Sequence, residues 1–188
     1  GGFSYGDYIR CGAVAKLSPI MAEVIKFANE GGIVIGICNG FQILCESGLL
    51  PGVLIKNKSL KFICEDVHLL VTGKSEVFAN DASGSVVKIP IAHGEGNYFI
   101  EPDKIEELEK NGQILFRYCT PTGEISPESN PNGSINNIAG LTNRAGNVLG
   151  MMPHPERACS KTIGNDSGKF VFSSIANFIK SKEVEHVF

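Results

Sequence analysis

No apolar run in this sequence approaches the roughly 18 residues of a membrane span, and no basic-then-apolar leader suggests export. No basic cluster is larger than Lys56, Lys58 and Lys61, and the net charge is −3, which argues against nucleic acid as the main partner. The three lysines read as a solvated edge. No two of the six cysteines have the close spacing of a metal knuckle, and the dense disulfide framework of small secreted domains is absent. Free thiols and a cytoplasmic location are therefore expected, with each cysteine by default a small buried apolar residue. There is no internal repeat, no linker, no P-loop and no dinucleotide fingerprint, since Gly94 and Gly96 lack a third glycine at the required spacing. The sequence also opens Gly1-Gly2-Phe3 without an initiator methionine, as if it began inside a motif.

What remains is the balance of a globular protein: 188 residues, 43% apolar and 20% charged, enough for one core and one domain over 1–188. Ser18 and Pro19 open a predicted helix with Met21, Val24, Ile25 and Ala28 as its apolar stripe and Gly31 past its end. Ile33 to Ile37 is an unbroken β-branched run between glycines, which reads as a strand buried on both faces and suggests a parallel sheet. A helix over Asn39–Ser47 follows at once. Further strands are expected at Val67–Val71, Val86–Ala92 (with Pro90 marking an edge or an end), and Ile114–Tyr118. Pro102–Asn111 reads as a surface helix, 120–134 as one long loop, Ile138–Thr142 and Val148–Met152 as a hairpin, and the stretch after Asp166 as a last helix. The pattern is α/β, with a mostly parallel central sheet flanked by helices.

One constellation carries chemistry. Cys38 lies between Gly36 and Gly40 at the junction of strand and helix, the cysteine form of a nucleophile elbow. A helix N-terminus favours thiolate, and the Asn39 N–H points where an oxyanion would form. The same Gly-x-Ser-x-Gly pattern at Gly2 to Gly6 lacks the preceding strand and following helix that a serine elbow needs. Far along the chain, Met151-Met152-Pro153-His154-Pro155-Glu156 follows a strand. There His154 can face the sulfur through one ring nitrogen and Glu156 through the other, completing a triad.

These two segments resemble the class I, triad-type glutamine amidotransferases. Residues Gly1 to Arg10, Gly36 to Gln42, Ala92 to Tyr98 and Met151 to Ala158 are similar, in family order, to the branch of glutaminase subunits of phosphoribosylformylglycinamidine synthase. The resemblance implies a flavodoxin-like domain whose opening strand, helix and second strand precede Gly1. It also implies Cys38 as nucleophile, His154 as base and then acid, Glu156 as its orienter, and Gly2 with Asn39 as oxyanion donors. Gln42 and the backbone around Gly94 and Gly96 would hold the amino-acid end of glutamine, with His93 either a ligand contact or a structural histidine. The implied partners are a synthetase subunit, which would hold ATP and magnesium, and a small bridging subunit; no cofactor is expected on this chain. A cysteine peptidase or chaperone with the same elbow is the alternative, although such proteins place His where Asn39 stands. A catalytically dead binding module is a third reading, against which all three triad members are present.

Overall fold

The computed structural model describes residues 10–80 and 82–185, the side chains of 184 and 185 excepted. The Gly1–Ile9 part of the opening motif, Gly2 included, lies outside the described residues. Helix α1 spans Pro19–Asn29, α2 Asn39–Glu46, α3 Pro102–Lys110 and α4 Lys169–Glu185. The strands are β1 (Val34–Ile37), β2 (Val53–Ile55), β3 (Ile63–Val71), β4 (Val86–His93), β5 (Asn97–Phe99), β6 (Ile114–Cys119), β7 (Ile138–Thr142) and β8 (Val148–Met151). Proline at the first helical position opens both α1 and α3, where its missing N–H costs nothing. The Ser18 side chain makes no capping hydrogen bond. Among the described residues no helix is long and apolar enough to cross a membrane.

Six strands form one sheet in the order β1-β8-β7-β6-β3-β4, while β2 and β5 pair separately as an antiparallel ribbon. Only the β1–β8 pair is parallel among the described strands; every other contact in the large sheet is antiparallel. The expected mostly parallel sheet is therefore wrong for the described chain. An unbroken apolar run reports burial on both faces, and antiparallel strands meet that condition here: every residue of β7 and β8 is buried. Pro90 does sit on an edge strand, since β4 ends the order.

Two cores explain the burial. On one side Phe41 and Leu44 of α2, Tyr98 of β5, and Ile105 and Leu108 of α3 pack over Leu141 and Val148. On the other, Ile89 and Ile91 of β4 and Leu69 of β3 share a single cluster with Leu149 and Met151 of β8, against which Ile35 and Ile37 of β1 pack. Residues from opposite ends of the strand order thus meet in one core, so the sheet curls until its two edges approach. The approach is fixed by a hydrogen bond from the His154 N–H, just past β8, to the Pro90 carbonyl of β4 at 2.8 Å.

Phe41 is the pin of the first core. Its fully buried ring stacks on Tyr98 with centroids 5.8 Å apart, and it lies so close on β8 that a Cβ at Gly150 would sit 2.1 Å from it. Phe41→Ala is expected to lower unfolding free energy by about 3–5 kcal/mol in urea titrations. A loss below ~1 kcal/mol would mean that α2 is not anchored this way.

Candidate active site

Cys38 stands between β1 and α2 with φ 52° and ψ −106°. Such a backbone costs a non-glycine residue about 1–3 kcal/mol, so the surrounding structure has to impose it. Part of that imposition is visible. The Cys38 N–H donates to the Met151 carbonyl at 2.8 Å, extending the parallel pairing one residue past the strands. At Gly36 a Cβ would lie 2.7 Å from the Gly40 carbonyl oxygen and 2.5 Å from Leu44 Cδ1, so the helix doubles back directly over the strand. Gly40 differs: no described atom lies within 4 Å of where its Cβ would be. The first glycine of the elbow is required by close approach in the described structure, and the second is not. The thiol itself is buried, with Sγ 3.8 Å from the Ala92 carbonyl of β4, at the other end of the strand order.

His154 is clamped between Pro153 and Pro155 and held by its N–H on Pro90. Its Nδ1 is 2.6 Å from Glu156 Oε1, while Nε2 is buried and has no hydrogen-bond partner among the described residues. Burial favours the neutral ring. The adjacent Cys38 sulfur and the Glu156 carboxylate favour the charged one and outweigh it, so the pKa is pushed up to about 9. Cys38 and His154 therefore interact without a well-aligned hydrogen bond, an arrangement common before substrate tightens a site. Burial also opposes ionisation of Glu156, but the hydrogen bond from His154, the charge of His154 and the charge of Arg157 hold it below the usual carboxylate range. Cys45 and Cys119 are buried as well, and desolvation pushes both thiols up.

Cys38 and His154 line a cavity of about 170 Å³ together with Gln42, Phe62, His93 and Gly94. Five of the expected site residues are thus brought together around one space. Glu156 stands behind His154, and Asn39 is the first residue of α2, so its N–H lies outside the helical i→i−4 ladder. Gln42 is buried with both ends of its amide engaged: Oε1 accepts from Asn39 Nδ2 at 2.9 Å and Nε2 donates to the Glu95 carbonyl at 2.6 Å. It ties the elbow helix to the loop at Gly94–Gly96. Gly96 is needed because a Cβ there would strike the His93 ring at 2.3 Å, whereas Gly94 opens toward Phe62.

Two residues passed over in the sequence hold this loop. Asn57 is fully buried and bonds His93, Gly96 and Lys61; Asn132, from the long loop, donates to the Gly96 carbonyl at 2.8 Å. Neither sits in a recognisable motif. The only hint was the asparagine content of 120–134, a composition that reads as a loop and here anchors one.

The model of the CobB/CobQ-like glutamine amidotransferase domain family matches residues 1–175. The chain belongs to this family. Within the glutamine amidotransferases it is similar to the phosphoribosylformylglycinamidine synthase subunit PurQ of Salinibacter ruber, with 53% identity over 95% of this chain and 77% of that protein. The PurQ of Moorella thermoacetica is 55% identical over 95% of this chain and 76% of its own length. In the structure of PurLQS from Thermotoga maritima, one chain superposes with a TM-score of 0.80 at 45% identity, covering 95% of this chain and 77% of that one. The α/β fold is thus that of a class I glutamine amidotransferase, with the mixed sheet described above.

The His154–Glu156 contact has a pH signature. Because the folded value of about 9 lies above the ordinary 6.5, the interactions of the charged ring with Cys38 and with Glu156 together stabilise the fold below pH ~6.5 and fade as pH rises through about 9. Glu156→Gln is expected to lower the His154 pKa, read by NMR titration of the imidazole, and to flatten the stability curve over that window. A His154 titration unchanged by the substitution would contradict the assigned cause.

Proposed function

We propose that Cys38, His154 and Glu156 act as the triad of a glutaminase. The chain is a PurQ-type glutaminase subunit of phosphoribosylformylglycinamidine synthase, an enzyme of purine biosynthesis. The observation that supports the triad is the sharing of one cavity by Cys38 and His154, whose Nδ1 is bonded to Glu156 and whose Nε2 has no partner among the described residues.

In this reading the Cys38 sulfur attacks the side-chain carbonyl carbon of glutamine, and the tetrahedral oxyanion takes hydrogen bonds from the N–H of Asn39 and of Gly2. His154 Nε2, having taken the Cys38 thiol proton, passes it to the departing nitrogen, and ammonia leaves as the thioester forms. The neutral ring then accepts a proton from water, the hydroxide adds to the thioester, and glutamate is released as that proton returns to the sulfur. Glutamine and water become glutamate and ammonia. Gln42, through Glu95, and the backbone at Gly94 and Gly96 shape the pocket for the amino-acid end of the substrate.

The chain works with a PurL-type synthetase subunit and a PurS-type subunit, as in the PurLQS assembly. We assign ATP and magnesium to the synthetase, which uses the ammonia to convert formylglycinamide ribonucleotide to the amidine. The reaction belongs in a reducing cytoplasm, where Cys38 stays a thiol.

Cys38→Ala is expected to abolish the glutamine-dependent reaction of the assembled complex and to leave synthesis from added ammonium salts largely intact. Loss of both activities in a complex shown to be assembled would overturn the division of labour.

A further inference from the structure

His93 is 3% exposed and its Nε2 has no hydrogen-bond partner among the described residues, yet the ring lines the cavity that holds Cys38. A buried polar atom left bare in this way costs stability unless something else completes it. The protonation of the ring can be read from Asn57. Asn57 Nδ2 donates to the carbonyls of Lys61 at 2.9 Å and His93 at 2.8 Å, groups that can only accept. Its Oδ1 therefore faces the other way, taking the Gly96 N–H at 3.0 Å and meeting His93 Nδ1 at 3.1 Å. An amide oxygen carries no hydrogen, so the proton in that last contact belongs to Nδ1. In the neutral ring Nε2 is then a bare lone pair.

We propose that Asn57 is a positioning residue that fixes His93 as the neutral Nδ1–H tautomer, so that His93 Nε2 accepts a hydrogen bond from the carboxamide N–H of glutamine and tells glutamine from glutamate. The proposal rests on the glutaminase reading of the site and adds its means of selection. A carboxamide brings N–H donors to Nε2, whereas a carboxylate brings only lone pairs, which leaves two acceptors facing each other at a buried ring nitrogen. The same contact favours substrate over product, because hydrolysis turns the donor into an acceptor. The surroundings keep the ring neutral. Burial, and secondly the charge on His154, push His93 down to about 4. Cys38, His154 and Arg157 line the cavity with it, Glu95 follows it in the loop, and Lys61 is joined to it through Asn57.

The direct test is the imidazole nitrogen spectrum of the ¹⁵N-histidine-labelled chain assembled with its synthetase and bridging subunits. His93 is expected to show a protonated Nδ1 and a bare Nε2 throughout pH 5–8; an Nε2–H tautomer or a charged ring in that range overturns the proposal. Asn57→Asp supplies the functional arm. A carboxylate beside Nδ1 favours the imidazolium, so the His93 pKa rises, and below it Nε2 becomes a donor. The variant complex is then expected to gain an acid-side ionisation in kcat/KM for glutamine. Its KM should rise on the order of tenfold below that ionisation, with tighter inhibition by glutamate. A uniform loss across pH with unchanged glutamate inhibition would show that Asn57 serves only the loop. If the unsubstituted complex shows no Cys38-dependent glutamine hydrolysis, the glutaminase reading fails, a result separate from the tautomer.

Discussion

The hydrogen bond from the His154 N–H to the Pro90 carbonyl joins the end of β8 to the far edge strand β4. An edge strand leaves backbone groups open to a partner, and here the chain itself supplies one. Without that closure the two halves of the site would lie at opposite ends of the strand order. Cys38 follows β1, at one end of the described strand order, while Ala92 and His93 belong to β4, at the other. With it, the Cys38 sulfur comes to 3.8 Å from the Ala92 carbonyl, and His154 and His93 share one cavity. Proline suits the position because an edge strand tolerates a missing donor while its carbonyl stays available.

The strained turn at Cys38 depends on the same frame. A cost of about 1–3 kcal/mol for its backbone is small beside the ~3–5 kcal/mol that a single buried phenylalanine such as Phe41 contributes to the packing beneath. The core therefore holds the sulfur where a relaxed turn would not, with α2 pressed over Gly36. Glu156 then acts on His154 and His154 on the cavity, so the electrostatics of the site follow from backbone placement.

Much of this was legible in the residues. The elbow, the Pro-His-Pro-Glu loop, the hairpin of β7 and β8 and the position of Pro90 follow from local chemistry that neighbouring residues determine. Strand direction does not. Ile33 to Ile37 and the buried stretches of β7 and β8 look alike because burial on two faces is all that an apolar run encodes, and only one of the pairs is parallel. The second glycine of the elbow looked as necessary as the first, yet only Gly36 meets a close neighbour among the described atoms. Gln42, read as a ligand contact, lines the cavity, and its amide bonds Asn39 and also Glu95, in a loop 53 residues away that no local pattern announces. The roles of Asn57 and Asn132 could not be read because each reaches the site loop through a partner 36 residues away, His93 and Gly96 respectively. Tertiary geometry alone reveals them.

The central claim is that the curled sheet makes one of six cysteines a nucleophile. It is tested most directly by treating the protein with a limiting amount of an alkylating glutamine analogue and mapping the labelled peptides. The account predicts that Cys38 is modified before the others, although it is buried and Cys64 is exposed. Modification of Cys64, Cys11 or Cys159 ahead of Cys38 would contradict it.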